Sequence, residues 1–99
     1  MKIVWTQESV NKLISIEEFI ADDSPMRANR FIAQIIKKTI SLKKHPNKGR
    51  IVPEFSLPEL REIIFKNYRI VYRVSPDLIE ILTVFESHRL IRSSEIDIK

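Results

Sequence analysis

The segment Tyr68–Val74, with the sequence YRIVYRV, places an aromatic or aliphatic side chain at every second position. Residues two apart in a β-strand point to the same side of the sheet. The alternation therefore predicts a strand with one face packed on a core and a second face that carries Arg69 and Arg73. We expect an anionic partner to contact that arginine face.

Helical spacing of apolar residues precedes this strand. Lys2–Trp5 is a short β-type run, and Thr6 is a predicted N-cap for a first helix that runs to about Asp22. Ser24-Pro25 combines a capping residue with a proline at the first helical position, which predicts a second helix that ends near His45-Pro46.

Further strands are predicted on both sides of the YRIVYRV segment. They are Arg50–Val52, Leu60–Phe65 and Leu78–Glu86. Lys66-Asn67 predicts a two-residue hairpin connection in which Asn67 supplies the positive φ that such turns require. Residues 87–99 are expected to form a loop and a polar tail or short helix.

Together these elements predict one domain that spans residues 1–99. The fold class is α+β, with an N-terminal strand, a helical hairpin and then a three- to four-stranded, mostly antiparallel sheet. A helical hairpin that covers one face of the sheet is the economical arrangement, and the first strand is expected to join the sheet.

Composition excludes several kinds of site. The chain has no cysteine, so a disulfide framework, a thiolate nucleophile and a thiolate zinc site are excluded. Two separate histidines do not make a metal centre, and no cofactor is expected. No apolar run approaches the ~20 residues that span a bilayer, and the N-terminus lacks the apolar core of a signal peptide. We therefore expect a cytoplasmic protein without a membrane partner.

Positive charge is concentrated in the middle of the chain. The net charge is +4, and no Asp or Glu occurs between Ser24 and Pro53. A block of one sign indicates a nucleic acid or an acidic protein as partner, although solvated helix lysines give the same pattern. The cations of this block are Arg27, Arg30, Lys37, Lys38, Lys43, Lys44, Lys48 and Arg50.

Nearly the whole chain resembles the RelE/ParE toxin superfamily of type II toxin-antitoxin systems, and four motifs are the most specific parts of that resemblance. They are GRIVPE at residues 49–54, the Arg61-Glu62 pair, the strand YRIVYR at residues 68–73 and the segment from Phe85 to Arg89. GRIVPE followed by RE and YRIVYRV is most similar to the ParE branch. That resemblance implies a cytoplasmic toxin that poisons DNA gyrase by binding and is neutralised by an acidic antitoxin, with operator DNA contacted only through the antitoxin.

The RelE branch implies a different activity, the ribosome-dependent cleavage of messenger RNA. Arg69 and Arg89 match the phosphate-binding arginines of that branch, and His88 is a candidate proton acceptor because arginine stays protonated. Leu60 and Glu62 stand where lysines are expected, which favours the ParE branch. A third hypothesis is a degenerate, non-toxic member that only binds its antitoxin.

The other cations are predicted to contact the target or the antitoxin. These are Arg61, Arg73, Arg50, Lys48 and Lys44. An alternative interpretation is structural, because Arg61, Arg69 and Arg73 also have the positions to form ion pairs with Glu62, Glu80 or Glu86 across strands.

Overall fold

The computed structural model describes residues 1–90 of the chain, so the predicted tail beyond Leu90 lies outside the described residues. Two helices and five strands follow one another in the predicted order. They are β1 (Lys2–Trp5), α1 (Gln7–Asp23), α2 (Pro25–Ile40), β2 (Arg50–Ile51), β3 (Leu60–Phe65), β4 (Tyr68–Val74) and β5 (Leu78–Glu86). A 3₁₀ turn, Ser41–Lys43, extends α2, so α2 itself ends before the predicted His45-Pro46 boundary.

Local capping sets the helix boundaries. The Thr6 hydroxyl accepts a hydrogen bond from the Ser9 amide at 3.2 Å, and the Ser24 hydroxyl accepts one from the Arg27 amide at 3.3 Å. Ser24 is extended and Pro25 occupies the first turn of α2, so the helical hairpin bends where the sequence predicts it. Within residues 1–90, neither helix combines the length and the apolarity that crossing a membrane requires.

The five strands form one mixed sheet with the order β1-β5-β4-β3-β2. β1 pairs in parallel with β5, and the other neighbours are antiparallel. The α+β class is confirmed, and β1 joins the four strands that follow the helical hairpin, as the sequence predicts, so the sheet has five strands.

A bulge in β5 interrupts the pairing with β4. Val71 is opposite Thr83 while Tyr72 is opposite Ile81, which leaves Leu82 as the extra residue. The Thr6 hydroxyl lies 2.9 Å from the carbonyl oxygen of Ile81 and 3.0 Å from that of Leu82. The start of α1 is therefore attached to the sheet at the bulge.

The sheet has a hydrophobic cluster on each face. The two helices cover the first face, which is the predicted core. Its buried members are Phe31, Ile35, Leu42, Ile63, Ile70, Tyr72, Ile79, Ile81 and Val84. The loop between β2 and β3 covers part of the second face. That cluster contains Val52, Leu60, Val71, Leu82 and Phe85, with Phe55 and Leu57 packed against it.

The β3–β4 connection differs from the prediction in one detail. Lys66, with φ of 54°, takes the positive φ that was assigned to Asn67. A two-residue hairpin with positive φ at its first position needs no special conformation at the second, so the asparagine preference does not decide the turn.

Gly49, the only glycine of the chain, lies where two segments meet. Its amide donates a hydrogen bond to the Tyr72 hydroxyl at 2.9 Å, and that hydroxyl donates to the Pro46 carbonyl oxygen at 2.8 Å. A Cβ at position 49 would overlap the Glu62 carbonyl group and the Tyr72 hydroxyl. The absence of a side chain therefore lets the turn before β2 approach the sheet. Burial, opposed by the contact with Gly49, raises the pKa of Tyr72.

Gly49→Ala is expected to lower the free energy of unfolding by about 1–3 kcal/mol, because the backbone of β3 cannot move away from the added methyl group.

Tyr72→Phe is expected to lower the free energy of unfolding by a similar ~1–3 kcal/mol, because it leaves the Gly49 amide and the Pro46 carbonyl without their partner. Urea denaturation measures both. Wild-type stability of Gly49→Ala would show that the close approach is not needed.

Candidate functional site

The guanidinium of Arg69 lies inside a carboxylate cage on the second face of the sheet. Its Nη1 and Nη2 contact the two Glu54 carboxylate oxygens at 2.7 and 2.8 Å, a bidentate pair. Nε donates to Glu62 Oε1 at 2.7 Å, and Nη2 is 2.6 Å from the same oxygen. Nη1 also donates to the carbonyl oxygen of Arg89 at 2.9 Å. Four hydrogen bonds and one further close contact therefore tie the Arg69 side chain to protein acceptors.

Charge is balanced within this network. Glu62, whose side chain is fully buried, also accepts a hydrogen bond from Arg50 Nε at 2.5 Å. Two guanidinium groups thus face two carboxylates in the order Arg50, Glu62, Arg69, Glu54. The hydrogen bonds with Glu54 raise the pKa of Arg69, against the opposing effect of burial. We call these four residues the Arg69 network.

The prediction that Arg69 lies on an open face of β4 is wrong. The side chain is 4% exposed, because the loop that carries Glu54 folds over it and the Phe85 ring lies 4.9 Å from the guanidinium carbon. Alternation within β4 correctly separates Arg69 from the helix side. It does not reveal that a neighbouring loop covers the other side as well.

The structure brings Arg89 close to Arg69. Both guanidinium groups lie against the Phe85 ring, that of Arg89 at 5.6 Å. Arg89 also lines an open groove of about 470 Å³ between α1 and β5, together with Lys12, Phe19 and Glu86 among others. His88 is exposed, and its Nε2 is 3.3 Å from Glu86 Oε2. A cation and a histidine–carboxylate pair therefore lie side by side after β5.

Two further arginines of the sheet bind protein groups. Arg73 Nε contacts Glu80 Oε1 at 3.2 Å across β4 and β5. Arg61 donates to the carbonyl oxygens of Pro58 and Gly49 at 3.1 and 3.0 Å. The ion-pair interpretation is thus confirmed for Arg69 and Arg73, whereas Arg61 fixes loop backbone instead.

The remaining predicted contact residues lie around the turn before β2. Lys44 and Lys48 are exposed, and Lys48 donates to the Ser41 hydroxyl at 3.2 Å. Arg50 keeps 61% of its side chain exposed while it contacts Glu62. These three residues are accessible to a partner, on a different element from Arg89 and His88. In the part of the chain from Met1 to Leu90, histidines and carboxylates form no group of three able to hold a metal ion.

Comparison with known proteins agrees with this arrangement. A family model described as the ParE toxin of the type II toxin-antitoxin system, parDE, matches residues 3–91.

The chain belongs to the ParE toxin family.

Individual relatives of this ParE-family chain cover most of its length. The protein described as "Putative toxin Y4kP" from Sinorhizobium fredii is 33% identical over 90 residues, which are 89% of this chain and 90% of that protein. Toxin RelE2 from Caulobacter vibrioides is 29% identical over 89 residues, or 90% of this chain and 98% of the relative.

A solved structure shares the fold. A chain of the chromosomal ParDE TA system from P. aeruginosa superposes with a TM-score of 0.72 at 21% identity, covering 87% of this chain and 95% of that one. The ParE-branch resemblance of the sequence motifs and the α+β fold are confirmed.

Sequence reasoning missed the role of Glu54. The residue closes the GRIVPE motif, which resembles a family signature, but nothing in its spacing indicates a partner 15 positions away in β4. A carboxylate next to a proline in a loop has many possible partners. Only the fold of the loop selects Arg69.

Arg69→Gln is expected to lower the free energy of unfolding of this ParE-family chain by about 3–5 kcal/mol, because it leaves Glu62 buried beside a single exposed arginine. Arg27→Gln is the matched control, because Arg27 pairs with Asp23 at 3.0 Å with both side chains more than two-thirds exposed. It is expected to cost less than about 1 kcal/mol. Thermal and urea unfolding compare the two variants, and equal losses would contradict a structural role for Arg69.

Proposed function

We propose that this chain is a ParE-like toxin that stops growth by binding DNA gyrase and trapping its cleavage complex with DNA, and that an acidic antitoxin neutralises it. Family membership supplies the class of toxin. The state of Arg69 favours the gyrase target over RNA cleavage.

The argument from Arg69 concerns its hydrogen-bond donors. A nuclease that cleaves RNA through the 2′-hydroxyl needs cationic donors aimed at the phosphate, where charge develops in the transition state. In this chain Arg69 already donates four hydrogen bonds to carboxylate or carbonyl acceptors and makes one further close contact with Glu62. Releasing them for a phosphate would leave Glu62 and Glu54 without their main partner, at a cost of several kcal/mol. A toxin that acts by surface contact needs no such release.

The accessible cations supply the surface for binding. Arg50, Lys48 and Lys44 are exposed around the turn before β2, and Arg61 and Arg73 are partly exposed on the sheet. The P. aeruginosa structure of the same fold is described as a ParDE TA system, which supports an antitoxin as the partner of this chain. An acidic, flexible segment has the charge to cover these cations, and salt is expected to weaken the complex.

Purified chain is expected to inhibit supercoiling by gyrase and to increase the amount of cleaved DNA recovered after detergent treatment. Preincubation with the antitoxin encoded beside it is expected to reverse both effects. A variant that reverses two exposed charges, Lys44→Glu/Lys48→Glu, tests the turn, with Lys2→Glu/Arg27→Glu as the control of equal charge change. Unchanged supercoiling and cleavage at excess toxin would refute the gyrase target.

Ribosome-dependent cleavage of messenger RNA is the second candidate function. The exposed Glu86–His88 pair favours it, because a carboxylate at 3.3 Å holds an imidazole ring beside the cation Arg89. In this second candidate function Arg69 is not a phosphate ligand. It donates a hydrogen bond to the carbonyl oxygen of Arg89 and so holds the backbone at that residue. RelE2, one of the curated relatives, carries the name of that branch.

Primer extension on a reporter messenger RNA in cell-free translation tests the second candidate. Cleavage would appear as new stops that require ribosomes, and His88→Ala and Arg89→Ala are then each expected to reduce them by about 10²-fold or more. An uncut message together with normal gyrase activity would leave the non-toxic, antitoxin-binding hypothesis. Normal growth during expression without the antitoxin would agree with that third reading.

A further inference from the structure

Cations from three separate segments converge beside α2. Lys37 and Lys38 lie in the last turn of α2, Lys48 comes from the turn before β2, and Lys66 comes from the β3–β4 connection. Lys37, Lys38 and Lys48 line a common cleft of about 370 Å³ whose other lining residues are Gln34, Ser41 and Phe65. Lys66 lies over the Phe65 ring at 5.6 Å. We call Lys37, Lys38, Lys48 and Lys66 the lysine cluster.

No acidic residue of the described chain neutralises this cluster. Among residues 1–90, none of the four lysines makes an ion pair, and no carboxylate lines the cleft. The sequence has no Asp or Glu from Ser24 to Pro53. The Lys48 ammonium is held by the Ser41 hydroxyl at 3.2 Å, on the lining of the cleft. Like charges gathered in this way raise the local positive potential, which an anionic ligand lowers.

The helix dipole explains only part of the cluster. Cations in the last turn of a helix interact favourably with its C-terminal end, which accounts for Lys37 and Lys38. It does not account for Lys48 and Lys66, which come from a turn and a hairpin that are remote in sequence. The convergence of the four is therefore a property of the surface and not of α2 alone.

We propose that the lysine cluster binds the phosphate backbone of duplex DNA without reading its sequence. Lysine is a compact point charge with rotatable donors, which suits phosphate oxygens at variable angles, whereas the rigid bidentate fork belongs to arginine. Arg30 extends the surface along α2, since it lines an adjoining cleft with Lys66. From Arg30 to Lys37 the helix rises roughly 10 Å, the axial length of about three phosphates of one strand.

Two other occupants fit less well. A single strand that stacks its bases needs an open aromatic face. The Phe65 ring is engaged by Phe31, with ring centroids 5.5 Å apart, and by Lys66. An acidic peptide binds tightly through buried apolar anchors as well as charge. The large exposed aromatic residue nearby, Phe19, lines the cleft of Arg30 but not the cleft of Lys37, Lys38 and Lys48.

This inference differs from the earlier expectation that DNA is contacted only through the antitoxin. It shares Lys48 with the surface proposed for the target and the antitoxin, but it concerns a direct contact between the toxin and DNA and is tested without gyrase. A toxin with such a contact would be held on the DNA segment beside its target enzyme.

Fluorescence anisotropy of a labelled duplex of about 20 base pairs, titrated with the full chain over a range of salt concentrations, tests the proposal. Two variants are compared after circular dichroism has shown that both are folded. Lys37→Gln/Lys48→Gln removes two charges from the cluster. Lys2→Gln/Lys43→Gln removes two exposed charges outside the cluster, one from β1 and one from the 3₁₀ turn, and is the matched control.

The wild-type chain is expected to bind with an affinity that falls steeply as salt rises. The cluster variant is expected to reduce the slope of log K against log salt by about 1.8, or about 0.9 for each phosphate contact, and to weaken binding at least about tenfold. The control variant is expected to keep the wild-type slope.

Three outcomes would overturn the proposal. Equal losses in the two variants would mean that net charge alone binds DNA. Absence of binding at low salt would mean that the cluster has no affinity for a duplex. The cluster would be assigned to an acidic protein segment if the chain bound a glutamate-rich peptide but no duplex, and if that binding were lost in the Lys37→Gln/Lys48→Gln variant. Gyrase inhibition is measured separately, so its failure does not affect this test.

Discussion

The buried guanidinium of Arg69 is the interaction on which the arrangement of the second sheet face depends. A charged group that is 4% exposed is stable only when its hydrogen-bond donors and its charge are matched. That match is supplied by Glu62 on β3, by Glu54 in the loop between β2 and β3, and by the Arg89 carbonyl oxygen after β5. One side chain thus joins three segments that are distant in sequence, and the loop that contains Glu54 is held over the sheet.

Closing the second face changes where the protein can meet partners. With the helical hairpin on one side and the loop with Val52, Phe55 and Leu57 on the other, the central strands are enclosed. Exposed positive charge is left on the outer side of α2, around the turn before β2 and at the end of β5. The surfaces of this ParE-family chain that remain accessible to a partner are therefore the exposed cations and the groove beside α1, whereas the strand residue Arg69 is held in a buried ion-pair network.

Two of these cationic regions differ in chemical character. The end of β5 combines Arg89 with an exposed histidine–carboxylate pair, a set of groups able to move a proton as well as bind an anion. The cleft of the lysine cluster beside α2 is lined by no histidine and no carboxylate of the described residues, so it is suited to binding alone. A toxin that acts by holding a nucleoprotein complex needs the second kind of surface, whereas RNA cleavage needs the first. The separation of the two regions lets experiment distinguish these activities by substitution.

Much of the secondary structure was determined by the sequence. Thr6 and Ser24-Pro25 set the helix boundaries because capping and proline geometry act within a few residues, and the alternation in residues 68–74 identified the helix-facing side of β4. The tertiary structure decided the rest. Pairing of Arg69 with Glu54, the positive φ at Lys66 and the approach of Gly49 to Tyr72 each depend on contacts between segments that local propensity does not encode. A loop that covers a sheet face can convert an apparent ligand-binding arginine into a buried ion pair, because burial is set by the whole chain and not by the strand that carries the residue.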